Sequence, residues 1–229
     1  MKKIFINQSN YIPWKGYFDS IALCDVFVVY DDMQFTRQDW RNRNLILTPN
    51  GPKWLTIPVE MKGRLNKRIN EIRVSDKNWN KKHLEFIKQN YRKSKNFKEI
   101  QPLIEEWYLK CESDWLSEIN LYFIQKINVF LSIKTEIVSS SNFILDNERT
   151  QRLINICKEL SATDYFSGPA AKNYLDEAKF KNENINVHFF DYGGYPEYNQ
   201  LHSKFEHGVS ILDLIFNTGN DAKKYLKYA

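Results

Sequence analysis

The run Val26-Phe27-Val28-Val29, continued by Tyr30-Asp31-Asp32, constrains this chain more than any other stretch. Consecutive β-branched and aromatic residues without a polar break do not suit a half-exposed strand, whose two faces alternate. They suit a strand covered on both sides, as in a parallel sheet. A parallel partner needs a crossover, and the residues just upstream supply one. Residues 2–7, containing KIFIN, alternate as a short strand, the polar stretch 7–16 reads as a loop, and GYFDSIAL from Gly16 carries helical spacing on Tyr17, Ile21 and Leu23. Strand, loop, helix, strand is a βαβ unit, for which a right-handed connection is expected.

The last third of the chain returns to the same alternation. TEIVSS reads as a strand, NERTQRLINICKEL as a helix, TDYFSG as a strand, AAKNYLDEAKFKNEN as a helix and INVHFFDY as a strand. Between the two ends, WRNRNLILTPNGPKWLTIPVE is two β-patterned runs around a Pro and Asn-Gly turn, which predicts a hairpin. RINEIRVS (68–75) is a further strand candidate. Asp76 and Asn78 are cap candidates for a helix from Trp79 to Tyr91, and two more helical patterns cover 101–111 and 113–132. DYGGYPEYNQLHSKFEHG is a long loop, and SILDLIFNTG a helix that Gly219 closes as a left-handed cap. The expected architecture is one α/β domain over residues 1–229. Its parallel or mixed sheet is built from both ends of the chain, with a helical and hairpin insertion at about 37–132. Ligands of such sheets collect beyond the carboxyl ends of the strands. The opening loop, the FSGPAA turn and the DYGGYPEY loop are therefore expected to face one cleft.

Composition narrows the function classes. No apolar run approaches the roughly 20 residues that span a bilayer, and MKKIFINQSNY is too short in apolar residues for a signal-peptide core. A soluble, cytoplasmic protein with no membrane span is expected. Cys24, Cys111 and Cys157 are odd in number and lie in helical patterns, so they read as buried thiols in a reducing compartment. The four histidines lack metal-ligand spacing, except for His202 and His207 in a loop; no metal is expected and no cofactor is assigned. The formal charge of +5 conceals an asymmetry: residues 37–98 hold 17 Lys and Arg against 5 Asp and Glu. Such a field gathers anions, whether a nucleotide, a sugar diphosphate or nucleic acid. The run RKSKNFK (92–98) reads as a solvated face.

Several residues are candidates for chemistry. Gln8 lies just past the first strand, Tyr11 and Trp14 flank Pro13, and Gly16 begins a helix whose free amides attract an anion. Lys15 offers that anion a point charge. Arg41 and Arg43 alternate in an extended segment, so two guanidiniums on one face can clamp a phosphate or carboxylate, with Asn44 beside them. Asp31 and Asp32 end a strand and point to opposite sides, so at most one faces the cleft; Asp32 is a candidate base. His83, with an ordinary pKa near 6.5, is the first choice for acid/base work, set against a partly buried structural role. Ser167 and Gly168 end a strand before a helix and serve either a ligand or a cap. Ser210 and Asp213 fit a capping box. Tyr195 and Tyr198, in a long loop with a Gly-Gly pair, offer flat surfaces for stacking and a means of closing over the site.

The blocks QSNYIPWKGYFDSIALCDVFVVYDDMQF, WRNRN, KWLTIPV, WNKKHLEFIKQNY, DYFSGPAAKNYLD, PEYNQ and GVSILDLIFNTG resemble the WbqC-like family of bacteria, commonly encoded among surface-polysaccharide and O-antigen genes. The resemblance covers nearly the whole chain and also takes in Asp19, Asn42, Trp54, Trp79, Tyr174, Gln200 and Gly219. It implies a role in making or modifying an activated sugar. The leading expectation is transfer of an acyl or aminoacyl group to the amine of a nucleotide-linked amino sugar. The partners would be that sugar nucleotide and the acyl or aminoacyl donor. The opening βαβ unit is also similar in layout to nucleotidyltransferase-like enzymes, whose His-x-Gly-His turn grips phosphates. Here those positions are Trp14, Lys15, Gly16 and Tyr17, and the loss of both histidines puts ATP activation in doubt. The rival readings are a nucleic-acid-binding module, for which no recognised motif is present, and a non-catalytic sugar-nucleotide binder.

Overall fold

The opening strand, β1 (Lys3–Asn7), is followed by α1 (Lys15–Ala22) and by β2 (Val26–Val29), all four residues of which are buried. A computed structural model of the chain describes residues 1–60, 66–202 and 204–229. β3 (Arg43–Thr48) and β4 (Gly51–Thr56) form the antiparallel hairpin, with Gly51 at φ +87° in its turn. Three helices follow: α2 (Trp79–Tyr91), α3 (Phe97–Leu109) and α4 (Leu116–Phe130). The alternation then resumes through β5 (Glu136–Ser139), α5 (Arg149–Glu159), β6 (Asp164–Ser167), α6 (Glu177–Asn182) and β7 (Asn186–Phe189), and α7 (Ile211–Thr218) lies near the end.

The chain is α/β. Its main sheet is five-stranded and parallel, in the order β5-β2-β1-β6-β7. From β1 the chain steps outward to β2 and β5, then crosses back to lay β6 and β7 on the other side. Right-handed crossovers in opposite directions put their helices on opposite faces, and the core divides accordingly. Phe5, Phe27 and Val29 pack with Tyr17, Phe18 and Ile21 of α1 and with the middle helices. Ile4, Ile6, Val26 and Val28 pack with Leu153, Ile154 and Cys157 of α5 and Phe180 of α6. Strand period two therefore feeds both cores from one strand.

Four local expectations differ from the structure. RINEIRVS is not a strand: Ile69–Glu71 is a 3₁₀ turn, and only isolated bridges join Gln34 to Arg68, Val59 to Val74 and Arg73 to Trp115. Ile69, Ile72 and Val74 are buried at turn-like spacing, which an alternating strand would have exposed in part. α3 begins a turn before residue 101, with Pro102 inside it. The carbonyl that proline leaves unpaired is that of exposed Lys98, where water can serve it. Residues 170–184 are not one helix: a 3₁₀ segment spans Pro169–Asn173, and Asp176 then caps the short α6 by accepting from Lys179 N. Gly219 has φ +59° but ψ −133°, outside the left-handed helical basin. A Cβ there would meet Asn96 at 2.9 Å, a second reason for glycine.

Candidate functional site

The strand order reverses between β1 and β6, and an open parallel sheet leaves a crevice at such a point because the flanking helices diverge to opposite faces. A cavity of about 430 Å³ occupies it. Asn7 and Gln8 enter from the end of β1, Ser167 and Gly168 from the end of β6, and Tyr30 from beyond β2. Arg149 and Leu153 of α5 and Tyr174 close it. Its polar groups are mostly donors. Asn7 Oδ1 accepts from Gln8 N and Gln8 Oε1 accepts from Arg41, which leaves both amide nitrogens free of protein acceptors among the described residues. Ser167 Oγ accepts from the Tyr165 hydroxyl at 3.3 Å and keeps its own hydrogen to give. The Arg149 guanidinium lies 5.1 Å from the Tyr174 ring centre, and among the described residues it has no carboxylate partner. Arg152, one turn on, reaches the Tyr30 hydroxyl at 3.4 Å. Among the described residues lining the cavity there is no carboxylate, imidazole or amine. Such a wall recognises oxyanions and offers no carboxylate or imidazole base of its own.

The loop between β1 and α1 separates this cavity from a second, of about 330 Å³, walled by Pro13, Trp14, Trp40 and Tyr192, with Asn10, Asn44 and His207. The crowded chemistry of that loop is largely spent on fixing it. Ser9 N and Oγ donate to buried Asp31, which also accepts from Ser117. The Arg41 guanidinium donates to Gln8 Oε1 at 3.0 Å and to Asn10 Oδ1. Ile12 has φ +36°, a strained value for a β-branched residue. It is held there by Asn44 Nδ2 and Ser210 Oγ, both donating to its carbonyl. Asn44 also serves Tyr11 O, so its amide is committed to the loop. A Cβ on Gly16 would stand 2.3 Å from Trp14 Cζ2, so this glycine makes room for an indole. That indole packs edge-on against Tyr192 and Tyr195.

The expected bases are placed differently. His83 is buried, with Nε2 at 3.0 Å from Thr56 O and Nδ1 at 2.9 Å from the Tyr11 hydroxyl. A carbonyl only accepts, so Nε2 carries the proton and Nδ1 accepts from Tyr11, whose oxygen accepts in turn from Tyr108 at 2.6 Å. Burial lowers the His83 pKa to about 4, so the ring is neutral near pH 7. Both nitrogens are used, and the ring anchors Tyr11, itself fully buried, instead of meeting a ligand. Asp32 is likewise engaged, by Ser140, by Asn70 at 3.2 Å and by Arg68 at 3.5 Å.

The arginines do not form one clamp. Arg41 turns to the opening loop, whereas Arg43 lies 3.9 Å from the Trp54 ring centre and donates to Gln38 O. The late loop is pinned, not poised to close. Tyr195 donates to Asp19 Oδ2 at 2.7 Å, Tyr198 to Asp213 Oδ2 at 2.7 Å, and buried Lys15 to Pro196 O at 2.7 Å. Lys15 Nζ sits 5.3 Å from both tyrosine ring centres, and burial lowers its pKa to about 8. Lys15, Tyr195 and Tyr198 thus face one another, and the tyrosine that reaches the second cavity is Tyr192. Asp213 serves Tyr198 and Gln200, so Ser210 caps α7 alone. Ser203, within this loop, lies outside the described residues.

The structure thus brings Gln8, Ser167 and Gly168 to one cavity and Trp14 and Asn44 to the other, with Arg41 between them. Sequence reasoning missed Asn7, Arg149, Trp40 and Tyr192. Arg149 carried a signal, because a cation in the first turn of a helix opposes the macrodipole and needs another reason to be there. Among the described residues no group of three His, Cys, Asp or Glu could hold a metal ion, and no helix is long and apolar enough to cross a membrane.

The model of the WbqC-like protein family matches residues 8–225. The chain is also 45% identical, over 228 residues, to "Uncharacterized protein Rv1507c" of Mycobacterium tuberculosis (strain ATCC 25618 / H37Rv), a match covering 100% of this chain and 99% of that protein. No solved structure matches. With its opening loop, hairpin and late loop all inside the matched span, this chain belongs to the WbqC-like protein family.

Proposed function

We propose that the protein binds a nucleotide-linked amino sugar in the switch-point cavity and aligns its amine to receive an acyl or aminoacyl group, as a cytoplasmic enzyme of surface-polysaccharide biosynthesis. The observation that carries this reading is the donor-rich wall at the reversal of strand order, with Arg149, which has no carboxylate partner among the described residues, beside Asn7, Gln8 and Ser167. A diphosphate presents oxygens that match those donors, and Tyr174 and Leu153 supply flat or apolar surface to the rest of the nucleotide. A neutral amine is a nucleophile without help. As the new C–N bond forms, the bond from the acyl carbon to its leaving group breaks with its electron pair, and the amine's proton passes to solvent. Alignment is then what the protein contributes.

One observation favours a second reading, a non-catalytic sugar-nucleotide binder: among the described residues the cavity wall contains no carboxylate, imidazole or amine. Nucleic acid fits less well, because part of the basic middle section is neutralised in place. Arg73 and Lys77 pair with Asp114, Lys82 with Asp76, and Lys88 with Glu85 and Glu105.

Thermal shift against sugar nucleotides, nucleoside diphosphates, ATP and duplex DNA tests the binding step. A mass-shift assay of the amino-sugar nucleotide with acyl donors tests transfer. Stabilisation by the sugar nucleotide together with acylated product is the expected result. Stabilisation with no product from any donor selects the binder, and no stabilisation by any nucleotide refutes both.

A further inference from the structure

We propose that the two cavities are two parts of one ligand seat, the cationic one holding the diphosphate of a sugar nucleotide and the aromatic one stacking its sugar ring. This inference rests on the sugar-nucleotide reading above and divides that ligand between two places.

Proximity is the first argument. Gln8 lines the first cavity and Asn10 the second, and two residues of chain span at most about 7 Å. Arg41 donates to both side chains, so one guanidinium fixes the wall that the cavities share. A ligand lying over this short ridge reaches from one to the other.

Charge divides the ligand. The first cavity has Arg149 and donors without protein acceptors, whereas no Lys or Arg is among the described residues lining the second. A phosphate gains little in the second cavity, where an uncharged ring is well served. Its size agrees: about 330 Å³ is at the small end of ligand pockets, which run from roughly 300 to 1,000 Å³. That suits one ring better than a whole nucleotide.

Surface chemistry identifies the ring. Trp14 is immobilised between Gly16, Tyr192 and Tyr195, which makes a preformed back wall. Trp40, at the mouth, is 41% exposed and lies 5.2 Å from the equally exposed Trp54, an arrangement that folding alone does not reward. A pyranose has an apolar face of C–H groups for such indoles and hydroxyls around its edge. Among the described residues nothing accepts from Asn10 Nδ2 or from the Trp40 indole N–H, so both can meet those hydroxyls.

Calorimetric titration with UDP, dTDP, UDP-glucosamine and dTDP-glucose tests the division, with thermal unfolding to verify that each variant is folded. A sugar-bearing ligand is expected to bind about tenfold more tightly than its diphosphate, equivalent to about 1.4 kcal/mol. Trp40→Ala should abolish that gain and leave diphosphate binding within about twofold, while Trp40→Phe, which keeps a flat ring, should retain most of it. If the sugar adds nothing, or Trp40→Ala weakens diphosphate and sugar nucleotide alike, the assignment of the second cavity is overturned while the diphosphate site stands. If neither class of ligand binds, the sugar-nucleotide reading fails and this division fails with it.

Discussion

Replacing Gly16 with alanine separates two explanations for a glycine at the start of α1. If Gly16 were present to bring backbone amides close to a phosphate, alanine would stabilise the fold, since Gly→Ala in a helix is worth up to about 1 kcal/mol. The structure gives the opposite sign. A Cβ at Gly16 falls 2.3 and 2.4 Å from two Trp14 ring atoms, more than 1 Å inside ordinary van der Waals contact. The ring cannot retreat cheaply, because Tyr192 and Tyr195 stand edge-on behind it at 5.2 and 5.6 Å. Overpacking of this kind costs about 1–3 kcal/mol, and further ejection of this partly buried indole adds to it. Set against the gain in helix propensity, Gly16→Ala should destabilise by about 2 kcal/mol, or roughly 4–8 °C in Tm for a chain of this length. Urea unfolding followed by tryptophan fluorescence measures the loss directly. The same variant should lose the contribution of the sugar to binding, because Trp14 is a wall of the second cavity. A Gly16→Ala protein as stable as the parent, or more so, would refute the packing argument.

Other perturbations test the remaining parts of the site. Burial holds the His83 pKa near 4 instead of 6.5, so between those values the unfolded chain takes up a proton that the folded chain refuses. Stability present above pH 6.5 should therefore be lost as pH falls toward 4, by about 3 kcal/mol, and His83→Gln should flatten that limb of the curve; equal pH slopes in parent and variant would count against a neutral, buried His83. Arg149→Ala should leave Tm nearly unchanged, within about 0.5 kcal/mol, because its side chain is exposed, lies over the Tyr174 ring and has no carboxylate partner among the described residues, yet it should weaken UDP binding about tenfold by calorimetry. Asp19→Ala strands the buried Tyr195 hydroxyl and the amides of Lys227 and Tyr228. A loss of about 3 kcal/mol in urea unfolding is expected, and a loss under 1 kcal/mol would mean that the late loop is not pinned from Asp19.

The parallel sheet was legible because both cores draw on short-range patterns. Val26–Val29 has no polar residue to expose, and β6 and β7 follow recognisable helical stretches. The hairpin was legible from the φ-positive glycine that its turn requires. Residues 68–75 misled because Ile72 and Val74 alternate as in a strand, whereas in the fold Ile69, Ile72 and Val74 are buried through a 3₁₀ turn that packs on α4 and runs beside the segment following the hairpin. The site was half legible. Gln8, Trp14, Ser167 and Gly168 could be placed at strand ends, and strand ends are where an α/β sheet binds ligands. Roles could not be read in the same way. His83, Tyr195 and Tyr198 are chemically versatile, and only their neighbours, Thr56, Asp19 and Asp213, commit them to holding the fold.

The sequence alone determined most of the strands and helices and an α/β sheet built from both ends of the chain, because backbone propensity and burial periodicity act over a few residues at a time. Only the tertiary structure decided that Arg41 braces the opening loop, that Arg149 from a distant helix faces the end of β1, and that Tyr192 reaches Trp14. Those pairings join residues more than 30 positions apart, and their geometry depends on the sum of every turn between them.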